Sequence, residues 1–117
     1  MTLYQAADLR ADYERFLRRV CETRIVWGLK SSEGWAMCAS NNHASNVLLF
    51  WSEEAYARRH CINEWAAYSP MPIPLDDFVQ SWLRGMHSDN ALVGVNFNAG
   101  LAGLEVQPLT LAKELAR

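Results

Sequence analysis

The most constraining feature of this sequence is the run Val47–Trp51, which is apolar at every position. Successive side chains of a β-strand point to opposite faces, so a strand of this kind must be covered on both faces. We therefore predict that it lies inside a sheet, with a helix on at least one side. A chain of 117 residues has the size of one domain and can bury about two thirds of its unfolded surface, which predicts a single domain over residues 1–117.

Two further strands are predicted before this run. The segments Arg24–Lys30 and Gly34–Ser40 are strand-like and are joined by the polar turn Ser31–Gly34. A second polar turn, residues 41–45, leads into the apolar strand. The three segments together predict a β-meander.

The meander contains two tryptophans, and its register decides whether they form a ligand platform. A four-residue turn places Trp27 across from Cys38 and Leu29 across from Ala36, whereas Trp35 points to the other face. Large aromatic residues opposite small ones are typical of a packed, half-buried sheet surface. We therefore interpret both tryptophans as core residues.

Helical periodicity is clearest near the N-terminus, where apolar residues recur at i, i+4, i+7, i+8 and i+11 and predict a helix over about Ala7–Thr23. Shorter helices are predicted where acidic or capping residues precede apolar positions. They cover residues 53–61 (capped by Ser52), 75–86 and 110–117 (capped by Thr110), and strands are predicted over 91–97 and 104–108.

The resulting order is α-β-β-β-α-α-β-β-α. Strands grouped apart from helices indicate an α+β fold. We predict a mostly antiparallel sheet, made of the meander and the C-terminal strands, with helices packed mainly on one face.

The segment between the second and third helices carries the candidate binding residues, together with Tyr56 on the helix before it. Its three prolines, at 70, 72 and 74, exclude helix and central strand, so it is an extended loop or an edge strand. Aromatic residues in such a segment either plug the open end of the sheet or form a recognition surface for a protein. The candidate partner-binding residues are Tyr56, Glu64, Trp65 and Tyr68.

Charge and cysteine usage bear on partners and compartment. The net charge of −2, from 11 basic and 13 acidic residues, predicts binding neither to nucleic acid nor to a membrane surface. Three cysteines cannot all pair, which favours free thiols in a reducing compartment. With no signal peptide or membrane-spanning run in evidence, we expect the protein in the cytoplasm. A homodimer is allowed by the sequence but cannot be derived from it.

No pattern of residues predicts a metal, a cofactor or a catalytic site. The acidic pairs Glu53-Glu54 and Asp76-Asp77 open helices, which explains them without catalysis. Nucleotide-binding glycine motifs and a nucleophile elbow are missing from the sequence. The soft metal ligands have no recognised ligand spacing: they are His43, His60, His87, Cys21, Cys38 and Cys61.

The order of the motifs resembles a small bacterial family known as domain of unknown function 2750. The resemblance rests on "VWGL", "GW", "LLFW", "EWAAY", "IPLDDF" and "LVGVNF" in this order, and it spans about Tyr13 to Leu115. It implies no reaction, cofactor or catalytic residue. Two loops differ from the family pattern, because Ser52 stands where proline is expected and "NFNAGLAG" replaces a strand end that contains proline.

Three hypotheses about function follow. The first is a non-catalytic protein-binding or regulatory module. The second is a small enzyme whose site is assembled from dispersed residues such as His60, Glu64, Asp89 and Asn96. The third is an immunity or antitoxin-type protein, which fits the small size and mildly acidic charge.

Overall fold

The computed structural model describes residues 6–40 and 43–116. Asn41 and Asn42 of the predicted second turn and Arg117 of the predicted last helix lie outside these ranges. The elements in chain order are α1 (Ala6–Thr23), β1 (Ile25–Ser31), β2 (Gly34–Trp35), β3 (Met37–Ala39), β4 (Asn46–Phe50), α2 (Glu54–Arg58), a 3₁₀ turn (Asn63–Trp65), β5 (Ser69–Pro74), α3 (Leu75–Asp77), a π-helical turn (Phe78–Trp82), α4 (Leu83–Ser88), β6 (Leu92–Val95), β7 (Leu104–Val106) and α5 (Pro108–Leu115).

The strands form two sheets, and the fold is α+β as predicted. Sheet A has the order β2-β1-β5 and is antiparallel throughout. Sheet B has the order β3-β4-β6-β7 and contains one parallel pair, β4 with β6. A parallel pair needs a long crossover, and here the chain between its strands carries α2, β5 and the helices up to α4. The predicted single meander is therefore wrong, although its individual segments are strands.

Ala36 is the point at which the predicted second strand divides between the two sheets. Its N–H donates to the Leu29 carbonyl over 2.9 Å, as the predicted register requires. Its carbonyl accepts from the N–H of Leu49 in sheet B over 3.3 Å. Beyond Ala36, Cys38 pairs with Val47 and no longer lies opposite Trp27.

Trp27 instead meets Trp51, just past the end of β4. The two residues exchange backbone hydrogen bonds of 2.9 and 2.8 Å, which join sheet A to sheet B. The chain turns away at Ala36 because this reciprocal pair occupies the edge of β1 that the second strand was expected to cover. Trp27 and Trp35 pack against different clusters, so they form no common platform.

The prediction that Val47–Trp51 is covered on both faces is confirmed. Phe50 belongs to a cluster that includes Phe16 of α1 and Phe78 of the π-helical turn. Val47, Leu49 and Trp51 belong to a second cluster on the other side. Sheet B thus separates two apolar layers, and the second layer lies beneath α2 and the 3₁₀ turn.

The proline-rich segment ends in an edge strand, one of its two predicted forms. Along β5, residues 69 to 74 pair with residues 30 to 25 of β1. In this register the N–H of Leu75 donates to the Arg24 carbonyl over 2.9 Å, so positions 73, 71 and 69 also face β1 with their N–H groups. Prolines 70, 72 and 74 therefore fall at the alternate positions, whose nitrogens point away from the sheet.

Both predicted helix caps are wrong. Glu53 occupies the N-cap of α2, and Ser52 is buried and turned toward Asn96. Gln107 occupies the N-cap of α5, and Pro108 takes the first helical position, where its missing N–H costs nothing. Thr110 therefore lies inside the first turn of α5.

Two glycines give opposite expectations for substitution by alanine. A Cβ at Gly94 in β6 would lie 2.6 Å from Leu49 Cδ2, whereas a Cβ at Gly85 in α4 would meet no atom within 4 Å. We expect Gly94→Ala to lower the free energy of unfolding by about 1–3 kcal/mol through overpacking. Gly85→Ala should raise it by about 0.5–1 kcal/mol, since alanine favours helix. Urea unfolding of both variants is the measurement, and an unchanged Gly94→Ala protein would contradict the described packing of β6.

Candidate functional site

The candidate site lies at the carboxyl ends of the parallel strands β4 and β6. Parallel strands end at the same edge of a sheet, and the connections that leave them in different directions open a crevice there. After β4 the chain enters α2, and after β6 it forms the loop of residues 96–103. The two connections face each other across this crevice.

The carbonyl of Phe97 holds the two connections together. Its oxygen accepts hydrogen bonds from the Trp51 indole, over 3.0 Å, and from His60 Nε2, over 3.0 Å. Trp51 is fully buried and His60 is 8% exposed, so both donors would be costly to leave unpaired. This carbonyl therefore fixes the turn after α2 against the loop after β6.

Asn96 adds a second connection beside it. Its side-chain oxygen accepts from the N–H of Ser52 over 2.9 Å, and its amide donates to Ser52 Oγ over 3.1 Å. The same amide reaches the carbonyl of Asp12 in α1 over 3.4 Å. Asn96 has a φ of +49°, a left-handed conformation that asparagine tolerates better than most residues.

Two cavities lie side by side in the crevice and share Arg59, His60 and Ala99. We call them the apolar cavity, of about 190 Å³, and the strand-end cavity, of about 240 Å³, and together the groove. The further lining of the apolar cavity is Ile62, Asn63, Glu64, Trp65 and Leu101; that of the strand-end cavity is Asp12, Arg15, Trp51, Tyr56, Asn96, Phe97 and Asn98.

His60 is a neutral imidazole in this setting. A carbonyl oxygen can only accept, so Nε2 carries the proton and Nδ1 is left as an acceptor. Burial lowers the pKa of His60; the bond to Phe97 opposes this and the nearby Arg59 charge adds to it. Within the described part of the chain, Nδ1 has no hydrogen-bond partner. Every buried side-chain nitrogen there has one, so Nδ1 is accessible to solvent.

The structure brings most of the predicted binding residues to this groove. Glu64 and Trp65 line the apolar cavity, and Tyr56 lines the strand-end cavity. Tyr68 lines neither, but its ring centroid lies 6.2 Å from that of Trp65. The three aromatic residues are half-buried and pack against the second apolar cluster, so each combines a core contact with partial exposure.

The dispersed residues of the enzyme hypothesis come together only in part. His60 and Asn96 both line the strand-end cavity, and Glu64 lines the neighbouring one. Asp89 follows α4 and lines neither cavity. His60 is buried, and its ring lies between Trp51 and Trp65 at centroid distances of 4.8 and 6.1 Å.

Among the groove residues that sequence reasoning missed are Arg59, Ile62 and Leu101. Ile62 is 62% exposed and Leu101 is 41% exposed. Both are large apolar residues inside segments of turn-forming composition, "CINEW" and "NAGLAG", and this mismatch was the available signal.

Metal and thiol chemistry find no support at the groove. Over residues 6–40 and 43–116, no three His, Cys, Asp or Glu side chains lie close enough to hold a metal ion. Burial raises the pKa of the Cys38 thiol, with a smaller contribution from Glu105, and burial also raises that of Cys61. Neither thiol is thereby activated as a nucleophile.

None of the described helices is long and apolar enough to cross a bilayer.

Comparison with known proteins gives a family but no activity. A family model described as "Protein of unknown function (DUF2750)" matches residues 13–115, nearly the whole chain. The resemblance seen in the sequence motifs is thereby confirmed. Neither the curated proteins nor the solved structures contain a match to this chain.

The neutral state of His60 predicts how stability depends on pH. The unfolded chain takes up a proton near the ordinary histidine pKa of 6.5, whereas the folded chain resists it to lower pH. The unfolded state then binds more protons, so the free energy of unfolding should fall as the pH drops below about 6.5. Urea unfolding at pH 7.5 and 5.5 measures this.

The control is His60→Gln, whose amide can still donate to the Phe97 carbonyl but does not titrate. Its loss of stability between the two pH values should be smaller than that of the original protein, because the variant lacks the imidazole whose pKa the fold lowers. Equal losses in the two proteins would show that His60 is not held neutral by the fold.

Proposed function

The chain belongs to the DUF2750 family, whose description assigns no activity, and from the geometry of the groove we propose that it is a non-catalytic module that binds a segment of another protein. One observation carries this proposal. Ile62 and Leu101, both exposed, line the same cavity as the half-buried Trp65. An apolar patch with a polar rim is the usual form of a protein recognition site.

The division of the groove into two small cavities favours a protein segment over a small molecule. Sites for cofactors and drug-sized ligands have volumes of about 300–1,000 Å³ and enclose most of the ligand. The apolar cavity holds about 190 Å³ and the strand-end cavity about 240 Å³. Each therefore suits one side chain or one terminal group of a peptide.

The backbone at Leu101 gives independent support. Its φ is +59°, a left-handed conformation that costs a bulky residue about 1–2 kcal/mol. Of the four other described non-glycine residues with positive φ, Asn63, Asn90 and Asn96 are asparagines, which adopt this conformation more easily, and the fourth is Arg24. A leucine at such a position is locally unfavourable, and this is expected where a side chain serves binding.

Ile62 is likewise an apolar residue at a backbone position that favours a polar one. It occupies the N-cap of the 3₁₀ turn, with φ −137° and no side-chain capping bond. Serine, threonine, aspartate and asparagine are preferred at such caps because they satisfy free backbone N–H groups. Two exposed apolar residues thus occupy adjacent walls of one cavity at positions where polar residues would suit the fold better.

The enzyme hypothesis receives less support. The amide of Asn96, which lines the strand-end cavity, is engaged by Ser52 and Asp12. His60 has no activated nucleophile of the cysteine type beside it, because burial raises the pKa of Cys61. An immunity protein is a special case of our proposal, with a toxin as the partner.

We also propose that the protein resides in the cytoplasm. All three cysteines are free, and unpaired thiols are typical of reducing surroundings such as the cytoplasm.

A peptide selection tests the proposed function. Random dodecapeptides displayed with free carboxyl termini would be selected on the original protein, and the dissociation constants of the enriched peptides measured by fluorescence anisotropy. We expect Leu101→Asn and Ile62→Ser each to weaken binding at least about tenfold, or about 1.4 kcal/mol. The matched control is Leu109→Ser, which removes a leucine that is 46% exposed on α5 and lines neither cavity.

Stability separates binding from folding in the same variants. Leu101→Asn should leave the free energy of unfolding unchanged or raise it by about 1 kcal/mol, since asparagine relieves the left-handed strain. A clear loss of stability would instead make Leu101 a structural residue. The absence of any enriched peptide that depends on Leu101 or Ile62 would reject the proposed function.

A further inference from the structure

Arg59 is the charged residue that the two cavities of the groove have in common. Within the described ranges it makes no ion pair, although Arg58 beside it pairs with Glu54. The other arginine of the strand-end cavity, Arg15, is neutralised by Asp12. Within the described ranges, Arg59 is therefore the groove cation without an ion-pair partner, and it lies at the boundary between the apolar and strand-end cavities.

The guanidinium of Arg59 is supported where it stands. Its central carbon lies 5.1 Å from the centroid of the Tyr56 ring, which lines the strand-end cavity. Stacking on an aromatic ring restricts the side chain while leaving its N–H groups available, so less entropy is lost when an anion binds. A carboxylate is the planar anion that this fork of donors fits best.

Glu64 makes the two cavities of the groove electrostatically different. It is exposed and lines the apolar cavity, but not the strand-end cavity. A negatively charged ligand group is repelled from the Glu64 side and attracted to Arg59, so it belongs in the strand-end cavity. The apolar cavity, with Ile62, Trp65 and Leu101, then receives the neighbouring uncharged side chain.

The positions of these charges indicate which kind of ligand the groove binds. This inference rests on the proposed function. We propose that the groove binds the carboxyl terminus of another protein, with its last side chain apolar and its terminal carboxylate on Arg59. The two cavities share three wall residues, so the two ligand groups must be close neighbours. A terminal carboxylate and the last side chain are attached to the same Cα. Acidic side chains fit less well, because along an extended segment two side chains on one face are about 6.6 Å apart.

His60 completes the site with an acceptor. Nδ1 reaches solvent in a side chain that lines both cavities, and Nε2 is committed to the Phe97 carbonyl. A bound carboxyl terminus brings the N–H of its last residue next to the carboxylate. In the proposed complex, His60 Nδ1 accepts from this N–H.

The experiment compares peptides that differ only at their termini. Each peptide selected on the original protein would be synthesised as the free acid and as the carboxyl-terminal amide, and both forms titrated by fluorescence anisotropy. We expect the enriched peptides to end in a large apolar residue. Amidation should weaken their binding at least about tenfold, and 0.5 M NaCl should weaken the acids more than the amides.

Variants of Arg59 assign the effect to its charge. Arg59→Gln should bind the acid and the amide equally, and Arg59→Lys should retain part of the preference for the acid. The matched control is Arg58→Gln, which removes the adjacent arginine that lines neither cavity and should keep the full preference. Melting temperatures of all three variants establish that they are folded.

The outcomes separate this inference from the proposed function. If selected peptides depend on Leu101 and Ile62 but bind equally as acids and amides, the module binds protein segments and the carboxyl-terminal inference is wrong. Binding that survives amidation but is lost when an internal Asp or Glu is replaced by alanine would assign Arg59 to an acidic side chain, and would also overturn it. If no peptide depends on Leu101 or Ile62, both proposals fail.

Discussion

The buried carbonyl of Phe97 is the contact on which the groove depends. It joins an indole, an imidazole and the loop after β6 through two hydrogen bonds from buried side chains. Neither donor can be released cheaply, because a buried N–H left unpaired costs about 1–3 kcal/mol. The turn that carries Arg59 and Ile62 is therefore held at a fixed distance from the loop that carries Leu101. A rigid cleft binds a flexible segment with a smaller loss of entropy than a mobile one.

The elements of the fold were predictable, but the way in which the strands divide was not. The apolar run Val47–Trp51 correctly predicted an interior strand because covering two faces is a local requirement. The division at Ala36 has no local signal, since "GWAMCAS" has the composition of one strand. It depends on the pairing of Trp27 with Trp51, residues 24 positions apart whose meeting is set by tertiary packing. The parallel pairing of β4 with β6 is nonlocal for the same reason.

Only part of the candidate site was predicted from the sequence. Trp65 and Glu64 were identifiable because they lie in an irregular, proline-rich segment, and Tyr56 because it lies on the short helix before it. The burial of His60 and its bond to a carbonyl 37 positions away could not be predicted, because the sequence does not bring these residues near each other. Ile62 and Leu101 could have been found by asking which apolar residues occupy positions where the backbone prefers polar ones. The composition around the two residues points to such positions, and the backbone conformation in the structure identifies them.

The prolines of β5 have a consequence for how molecules of this protein meet at high concentration. The outer edge of sheet A has carbonyl groups but no N–H donors at positions 70, 72 and 74. A strand arriving from another molecule would find no ladder to complete there, and the opposite edge, β2, is only two residues long. Exposed edges are the usual starting points of intermolecular β-aggregation. Sheet A therefore cannot be extended by a strand from another molecule. As a result, its edges do not compete with the groove for extended polypeptide.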